Sequence, residues 1–536
     1  MSRSHPGEPN GSTSTSEETP LLHQATPAPK TPPTVSWASM PRKSQLAVIV
    51  FARLAEPLSE RSLTSYLFYQ LKWFNPDLDA GTIAKQAGYL TAMFAAAQCL
   101  TSMWWGHLAD DPRLGRKRVL VIGLVGSAVS ALGMGFSRSL YLAFFFRFLA
   151  GALNGNVGVL RTMISEVIAD KRYQSRAFLL LPMCFNVGVI IGPLLSSFLA
   201  DPVHSLPGLF GDDSLFGGAN GVQWMKHFPY ALPNLFFAIL LSTAALGVIL
   251  GLDETHPHLR YQTDPGRKLG KVIMRKIFKH ESPLDSGEIA HSSASSGLLE
   301  NDIEATPMRK PEVKQRPSIR GVLTKRVCYT MLQRFLQSLH VSAFNSILFN
   351  FLPTPRADAK DFRLPFRFSG GLGLSAQKMG LANTTIGMVG IPLQLLLYPR
   401  LISSLGVRNS YRVFLPLGAV AYCLLPYLVL LSDDAAIIWT CLSVVLTLQV
   451  LSRTFVNPAT VMLVNDCAPS PNALGTVHGF AQSISSAARI MGPVVGGNLL
   501  GWGLGHNFVG LPLWVLAIVS MANLAVVWKI EDVHIE

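Results

Sequence analysis

The chain has 536 residues, of which 49% are hydrophobic and only 14% charged, with a formal net charge of +13. Soluble domains carry about 25% charged residues, so this polar deficit excludes an ordinary water-soluble globule and points to a bilayer. The positive balance does not make a nucleic-acid binder, because Lys and Arg fall in short blocks between long apolar runs, as in basic loops flanking membrane helices.

In chain order, residues 1–43 are rich in Ser, Thr, Pro and Glu without an apolar core. They are expected to form a disordered cytosolic tail and not a cleaved signal. Within the tail, EETPLL (Glu17 to Leu22) fits an acidic dileucine sorting pattern and hints at vacuolar delivery. Runs long enough to span, about 20 residues each, follow near 46–70, 88–108, 118–137, 140–163, 176–199 and 230–252. These define a first six-helix bundle over 44–252. The segment 253–327 is a polar cytosolic linker: GRKLGKVIMRKIFKH alternates cations with apolar residues as an amphipathic helix on the inner leaflet would, and HSSASSGLLENDIEATP is low-complexity. A second group lies near 328–353, 380–404, 412–431, 435–461, 475–500 and 509–528, a second bundle over 328–530. The expected fold is an all-α membrane protein of twelve transmembrane helices in two bundles.

Charge sets the expected orientation. With both termini cytosolic, the inner loops hold Arg116–Arg118, Lys171–Arg176, the basic 260–326 segment, Arg408 and Arg412, while Asp77, Asp79, Asp201, Asp212, Asp433 and Asp434 lie outside. One outer loop, 354–379, dissents with Arg356, Lys360, Arg363, Arg367 and Lys378.

The halves repeat each other. RLAEPLSERSLTSYLFYQL from Arg53 lies on RFLQSLHVSAFNSILFNFL from Arg334, and DPRLGRKR lies on LISSLGVRNSYR, pairing Gly115 with Gly406. Arg147 matches Arg453, and Gly192-Pro193 matches Gly492-Pro493. Four matches in one order indicate duplication, which predicts a small-molecule site between the halves near the bilayer midplane. The six cysteines form no CxxC and no metal-ligand spacing. With no P-loop and no nucleophile constellation either, no enzyme activity, cofactor or metal is expected.

Ionisable residues inside spans are costly and mark function. Arg53, Glu56, Glu60 and Thr64 recur at i, i+3, i+7 and i+11, one helical face that must look into a cavity. Glu56 or Glu60 could carry a proton, Glu56 being the deeper; an internal ion pair with Arg53 or Arg61 is the structural alternative. Polarity continues through Asn154, Asn156 and Arg161, and in the second half through Gln333, Arg334, Gln337, His340, Asn345, Arg453, Asn457, His478, Gln482 and Arg489.

GHLADDPRLGRKR, Gly106 to Arg118, resembles the loop signature of the major facilitator superfamily between its second and third helices. The resemblance implies a conformational latch built from Gly106, Asp110, Asp111, Arg113, Gly115, Arg116 and Lys117, besides the orienting effect of the cations. Two extra residues leave open whether Asp110 or Asp111 holds the latch position; Gly115 is expected at positive φ. NVGVIIGPLLSS, with Gly188, Gly192 and Pro193, resembles the superfamily's antiporter signature, although small residues four apart also serve plain helix packing. RFLAG from Arg147 resembles its fourth-helix signature, implying a part in proton coupling. RLAEP and NGNVGVLRTMISE are similar to the fungal drug:proton antiporter branch and to zinc-induced-facilitator relatives. The resemblance implies a monomeric, proton-coupled exporter of a small organic molecule in a vacuolar or plasma membrane. A uniporter, a nutrient symporter and a non-transporting receptor remain alternatives.

Overall fold

The structure is a computed structural model that describes residues 40–168, 170–214, 216–217, 220–278, 323–357, 362–431, 434–469 and 474–532. The sorting pattern in the tail and the low-complexity part of the linker lie outside the described residues. In the first half, α1 (Lys43–Ser62) runs through a 3-10 turn, Leu63–Ser65, into α2 (Leu67–Phe74). Then come α3 (Ala80–Asp110), α4 (Gly115–Gly135), α5 (Leu140–Ala152), α6 (Asn156–Val167), α7 (Lys171–Leu199) and α8 (Ala231–Gly251). The linker contributes α9 (Pro265–Phe278). The second half holds α10 (Lys325–Phe351), α11 (Ala376–Pro392), α12 (Tyr398–Leu424), α13 (Ala435–Asp466), α14 (Leu474–Gly505) and α15 (Leu511–Asp532).

A π-helical stretch, Leu393–Leu397, joins α11 to α12, and α12 breaks at Gly406 (φ 75°, ψ 164°). Taken as rods, with α5 and α6 one interrupted rod, the described residues outside the linker form twelve. Among the described residues, six stretches are long and apolar enough to cross a membrane by length and composition alone: Gly115–Gly135, Leu140–Val167, Ala231–Gly251, Ser404–Leu430, Ala435–Asp466 and Leu511–Ile530. The rods that fall short are built on α1, α3, α7, α10, α11 and α14; some of these carry ionised side chains such as Arg53, Glu56 and Arg334, and others join the halves. Their apolar content is diluted by the residues that do this.

Two expected boundaries shift. The fourth run was expected to be continuous over 140–163 but breaks between α5 and α6. Trp105 fills the space a Gly155 Cβ would need, 2.3 Å away, and its Nε1 donates to Ala152 O at 2.6 Å. The loop expected between 404 and 412 shrinks to the single residue Gly406, whose backbone region only glycine adopts without strain.

Within each half, glycines bring helices to backbone contact. A Cβ on Gly188 would lie 2.5 Å from Pro57 Cβ, and one on Gly192 would lie 2.6 Å from Leu58 O, seating α7 on α1. Gly492 seats α14 on Ser342 of α10 in the same manner, at 2.7 Å. Between the halves, α3 meets α14 through Gly81, Gly88, Gly497 and Gly501, and α7 meets α11 through Gly380 and Gly387. Tyr69 OH donates to Leu374 O, and Asn383 Nδ2 donates to Val189 O at 2.6 Å, along the same seam. The dissenting loop folds onto the second half: Phe368 is fully buried against Tyr427 and Trp514, and Arg356 donates to Leu431 O at 3.2 Å.

Candidate functional site

The first half's charged cluster starts on α1, where Pro57 interrupts the backbone ladder beside Arg53. Arg53 NH1 lies 3.5 Å from Glu56 Oε2, and Asn156 Nδ2 donates to Glu56 Oε1. Glu56 is nearly sealed, with 3% of its side chain exposed, against 27% for Glu60, which pairs with Arg61 at 3.7 Å. The helix break explains Asn156: it opens α6 there and turns that residue's amide onto α1. Gly123 of α4 makes room, since a Cβ would overlap the Asn156 side chain.

Beside this cluster lies a cavity of about 50 Å³ lined by Glu56, Glu60, Phe94, Arg147, Asn154 and Asn234, among others. Arg147 is buried, its guanidinium 4.7 Å from the Phe94 ring centroid and its Nε 3.5 Å from Leu90 O. Asn154 Oδ1 and Asn156 Oδ1 are buried acceptors without a donor among the described residues. Thr64, expected on the same face, does not line this cavity. Its turn tightens to 3-10 geometry and its hydroxyl donates to Arg61 O at 2.7 Å.

The second half buries a neutral network. Gln337 is its hub: Oε1 accepts from Tyr411 OH at 3.2 Å and from Asn523 Nδ2 at 2.9 Å, while Nε2 donates to Asn457 at 3.3 Å. His340 is held between Gln337 Oε1 (3.0 Å) and Tyr422 OH (3.1 Å), so both ring nitrogens are satisfied. Gln333 reaches Tyr411 OH and Thr460. Around the network stand Arg334, which donates to Ser485 Oγ at 2.7 Å, Arg489, which donates to Ser486 Oγ at 3.1 Å, and half-buried Arg453. Asn457 and Gln482 are exposed and Asn345 is half-buried; His478 leaves the group, bonding Asn465.

The knot after α3 is also resolved into parts. Asp110 faces Arg116 NH2 at 3.6 Å, whereas Asp111 shapes the turn: its Oδ1 accepts from Arg113 N at 2.8 Å and its carbonyl from Gly115 N at 3.0 Å. The two extra residues thus close an Asx turn. Gly115 has φ 72°, as expected, and its partner in the repeat, Gly406, has φ 75°. Arg116 also pairs with Glu166 of α6. Glu254, just beyond α8, accepts from Arg116 N at 3.2 Å and Lys117 N at 3.0 Å, and Lys117 Nζ binds Asp264 and Ile249 O. Sequence reasoning missed Glu166, Glu254 and Asp264. The available signal was their place: acids at the ends of the fourth and sixth runs, on the face of the Arg/Lys knot. Gly106 faces open space, and nothing in this conformation requires a glycine there.

Two pseudo-repeated six-rod halves, a broken-helix polar centre and the Asp-Arg knot are the features of one known family, and residues 64–493 match the Major Facilitator Superfamily. The chain belongs to the major facilitator superfamily. It is 31% identical over 517 residues to the major facilitator superfamily multidrug transporter mfsB of Aspergillus fumigatus, covering 91% of this chain and 83% of that protein. Zinc Induced Facilitator 1 of Arabidopsis thaliana is 25% identical over 501 residues, covering 90% and 91% of the two chains. Among solved structures, the nucleoside transporter NupG shares the fold, with a TM-score of 0.59 at 14% identity over 92% of this chain and 99% of that one. As a superfamily member the chain is an integral multi-pass membrane protein. It is a secondary transporter of small organic molecules and not an enzyme.

Proposed function

We propose that the protein is a monomeric proton-coupled antiporter that exports or sequesters a small organic molecule, with both termini cytosolic, in a vacuolar or plasma membrane. The observation that carries this reading is the sealed Glu56, held by Arg53 and Asn156 beside a cavity that Glu60 and Arg147 also line. A buried carboxyl with one cation and one amide donor is poised between charged and neutral forms, and the balance shifts when a neighbouring charge moves. Arg147 is the neighbour suited to that part. Arg334, Arg453, Asn457 and Gln482 then face the cargo from the second half, with Gln337 and His340 behind them. The similarity to a multidrug transporter favours an organic cargo over an ion.

The seam of α3 on α14 and α7 on α11 closes the end that bears Asp79 and Ala200. At the knot's end, Gly158 and Gly479 face open space. In the proposed orientation this state opens to the cytosol. Asp110, Arg116, Glu166, Glu254 and Gly115 form the latch that exchanges partners when the open end closes, and Gly188, Gly192 and Pro193 let α7 move on α1.

The test is flux in proteoliposomes with an imposed pH gradient, using dyes and drugs as cargo. Glu56→Gln is expected to lower gradient-driven flux at least tenfold at unchanged abundance, with a smaller effect of Glu60→Gln. Flux of the native protein that ignores collapse of the gradient would overturn proton coupling in favour of a uniporter. Absence of any flux would favour a receptor.

A further inference from the structure

The linker helix α9 packs on α8 and frames a second cavity that shares no lining residue with the first. A Cβ on Gly266 would lie 2.7 Å from Ile249 O, and one on Gly270 would meet Leu250 O, so α9 lies directly on the end of α8. Arg267 Nε donates to Asp253 Oδ1 at 2.7 Å, and Asp264 is bound by Lys117, which fixes the entry to α9. Between α4, α8 and the linker the docking leaves a cavity of about 690 Å³.

Its walls divide by chemistry. Lys117, Arg118, Arg260, Arg267 and Lys268 face three acids, Asp253, Glu254 and Asp264, a surplus of two positive charges. The acids are already engaged: Asp253 with Arg267, Asp264 with Lys117, and Glu254 with the backbone N–H groups of Arg116, Lys117, Thr255 and His256. Besides Gln262 and Thr263, the remaining wall is apolar: Leu114, Val121 and Ile122 of the α4 end, Ile249 of α8 and Leu259, with Ile122 exposed on the outside. Leu269, Val272, Ile273 and Met274 of α9 are exposed as well.

We propose that this cavity binds the head group of an anionic glycerophospholipid of the inner leaflet, with an acyl chain lying along Val121 and Ile122. A cationic pocket at the membrane surface selects an anionic head, and the apolar wall distinguishes a lipid from a free phosphate, which would have no use for it. The inference rests on reading the knot's face as cytosolic. Its test measures binding and not flux, so the two can fail separately.

The experiment is native mass spectrometry of the full chain in detergent, titrated with dioleoyl phosphatidylserine or with dioleoyl phosphatidylcholine. At least fivefold preferential retention of the serine lipid is expected. The preference should vanish in an Arg118→Gln, Arg260→Gln, Lys268→Gln triple variant that still retains the choline lipid. Should that variant misfold, a photoactivatable phosphatidylserine on the native chain replaces it, with crosslinks expected in 114–122 and 259–271. Equal retention of the two lipids, a preference that survives in the folded triple variant, or crosslinks confined to other segments would overturn the proposal. Complete competition by soluble phosphoserine would overturn the lipid as occupant.

Discussion

The two halves share a rod order, a glycine seat between their first and fifth rods and a glycine-broken turn, yet they bury opposite chemistry. The first half seals a carboxylate, Glu56, with Arg53 and Asn156. The second centres on Gln337, a neutral amide tied to Tyr411, His340, Asn457 and Asn523. A duplicated scaffold has thus kept its packing while dividing its work. A charged cluster responds to pH and to neighbouring charge, whereas an amide network resists both and fixes geometry. Arg53 and Arg334 mark the division, since only Arg53 has a carboxylate at hand.

The comparison breaks most readily at its centres. Arg53→Leu leaves Glu56 without its cation, and removing one partner of a buried pair costs about 3–5 kcal/mol. Gln337→Leu leaves several buried polar groups short of a partner, which costs about 1–3 kcal/mol. Thermal unfolding in detergent should rank the two in that order. The gap should narrow on acidification, because protonating Glu56 removes the stranded charge, while Gln337→Leu strands no charge and gains nothing from it. Equal pH response in both variants would end the division.

The repeated turns give a smaller and sharper test. A methyl at Gly406 meets nothing, so Gly406→Ala carries only the backbone penalty, about 1–3 kcal/mol. At Gly115 the methyl would also lie 2.6 Å from Glu254 Oε2, so Gly115→Ala should lower the unfolding midpoint further and dislodge Glu254 from its N–H donors. Similar losses in both variants would mean that Glu254 adds nothing to the first knot.

The smallest effect belongs to Asp264. Burial opposes ionisation there, but the hydrogen bond from Lys117 and the backbone donors of Arg267 and Gly266 outweigh it, holding its carboxyl below the ordinary value of 3.8. A carboxylate lowered on folding stabilises above that value, and the contribution fades as pH falls below it. Protection against hydrogen exchange over 265–278, corrected for the intrinsic amide rate, should therefore fall below about pH 4, and Asp264→Asn should show the lower protection already at neutral pH.

Much of this was legible in the sequence because hydropathy and turn chemistry are local signals. The apolar runs, the basic knot and the positive φ of Gly115 needed no long-range information. The partners of the knot were not legible, since Glu166 and Glu254 meet Arg116 only after two helices return to one face. Thr64 falls off the Glu56 cavity because the helical period does not extend through a segment that tightens to 3-10 geometry. The break at Asn154 and Gly155 hid for a similar reason: a tryptophan 50 residues earlier in the chain creates it. The division between the halves was half visible, as glutamates in the first helix and none in the seventh.

The seam between the halves carries one more consequence. Where Gly81 meets Gly501 and Gly88 meets Pro493, main chain rests on main chain with few bonds across the join. Dispersion forces of this kind are appreciable at contact and fade within an ångström or so. Such a join behaves as a catch and not as a spring: it holds firmly while shut, offers no pull once ajar, and lets the moving halves part without carrying tension through the rest of the stroke.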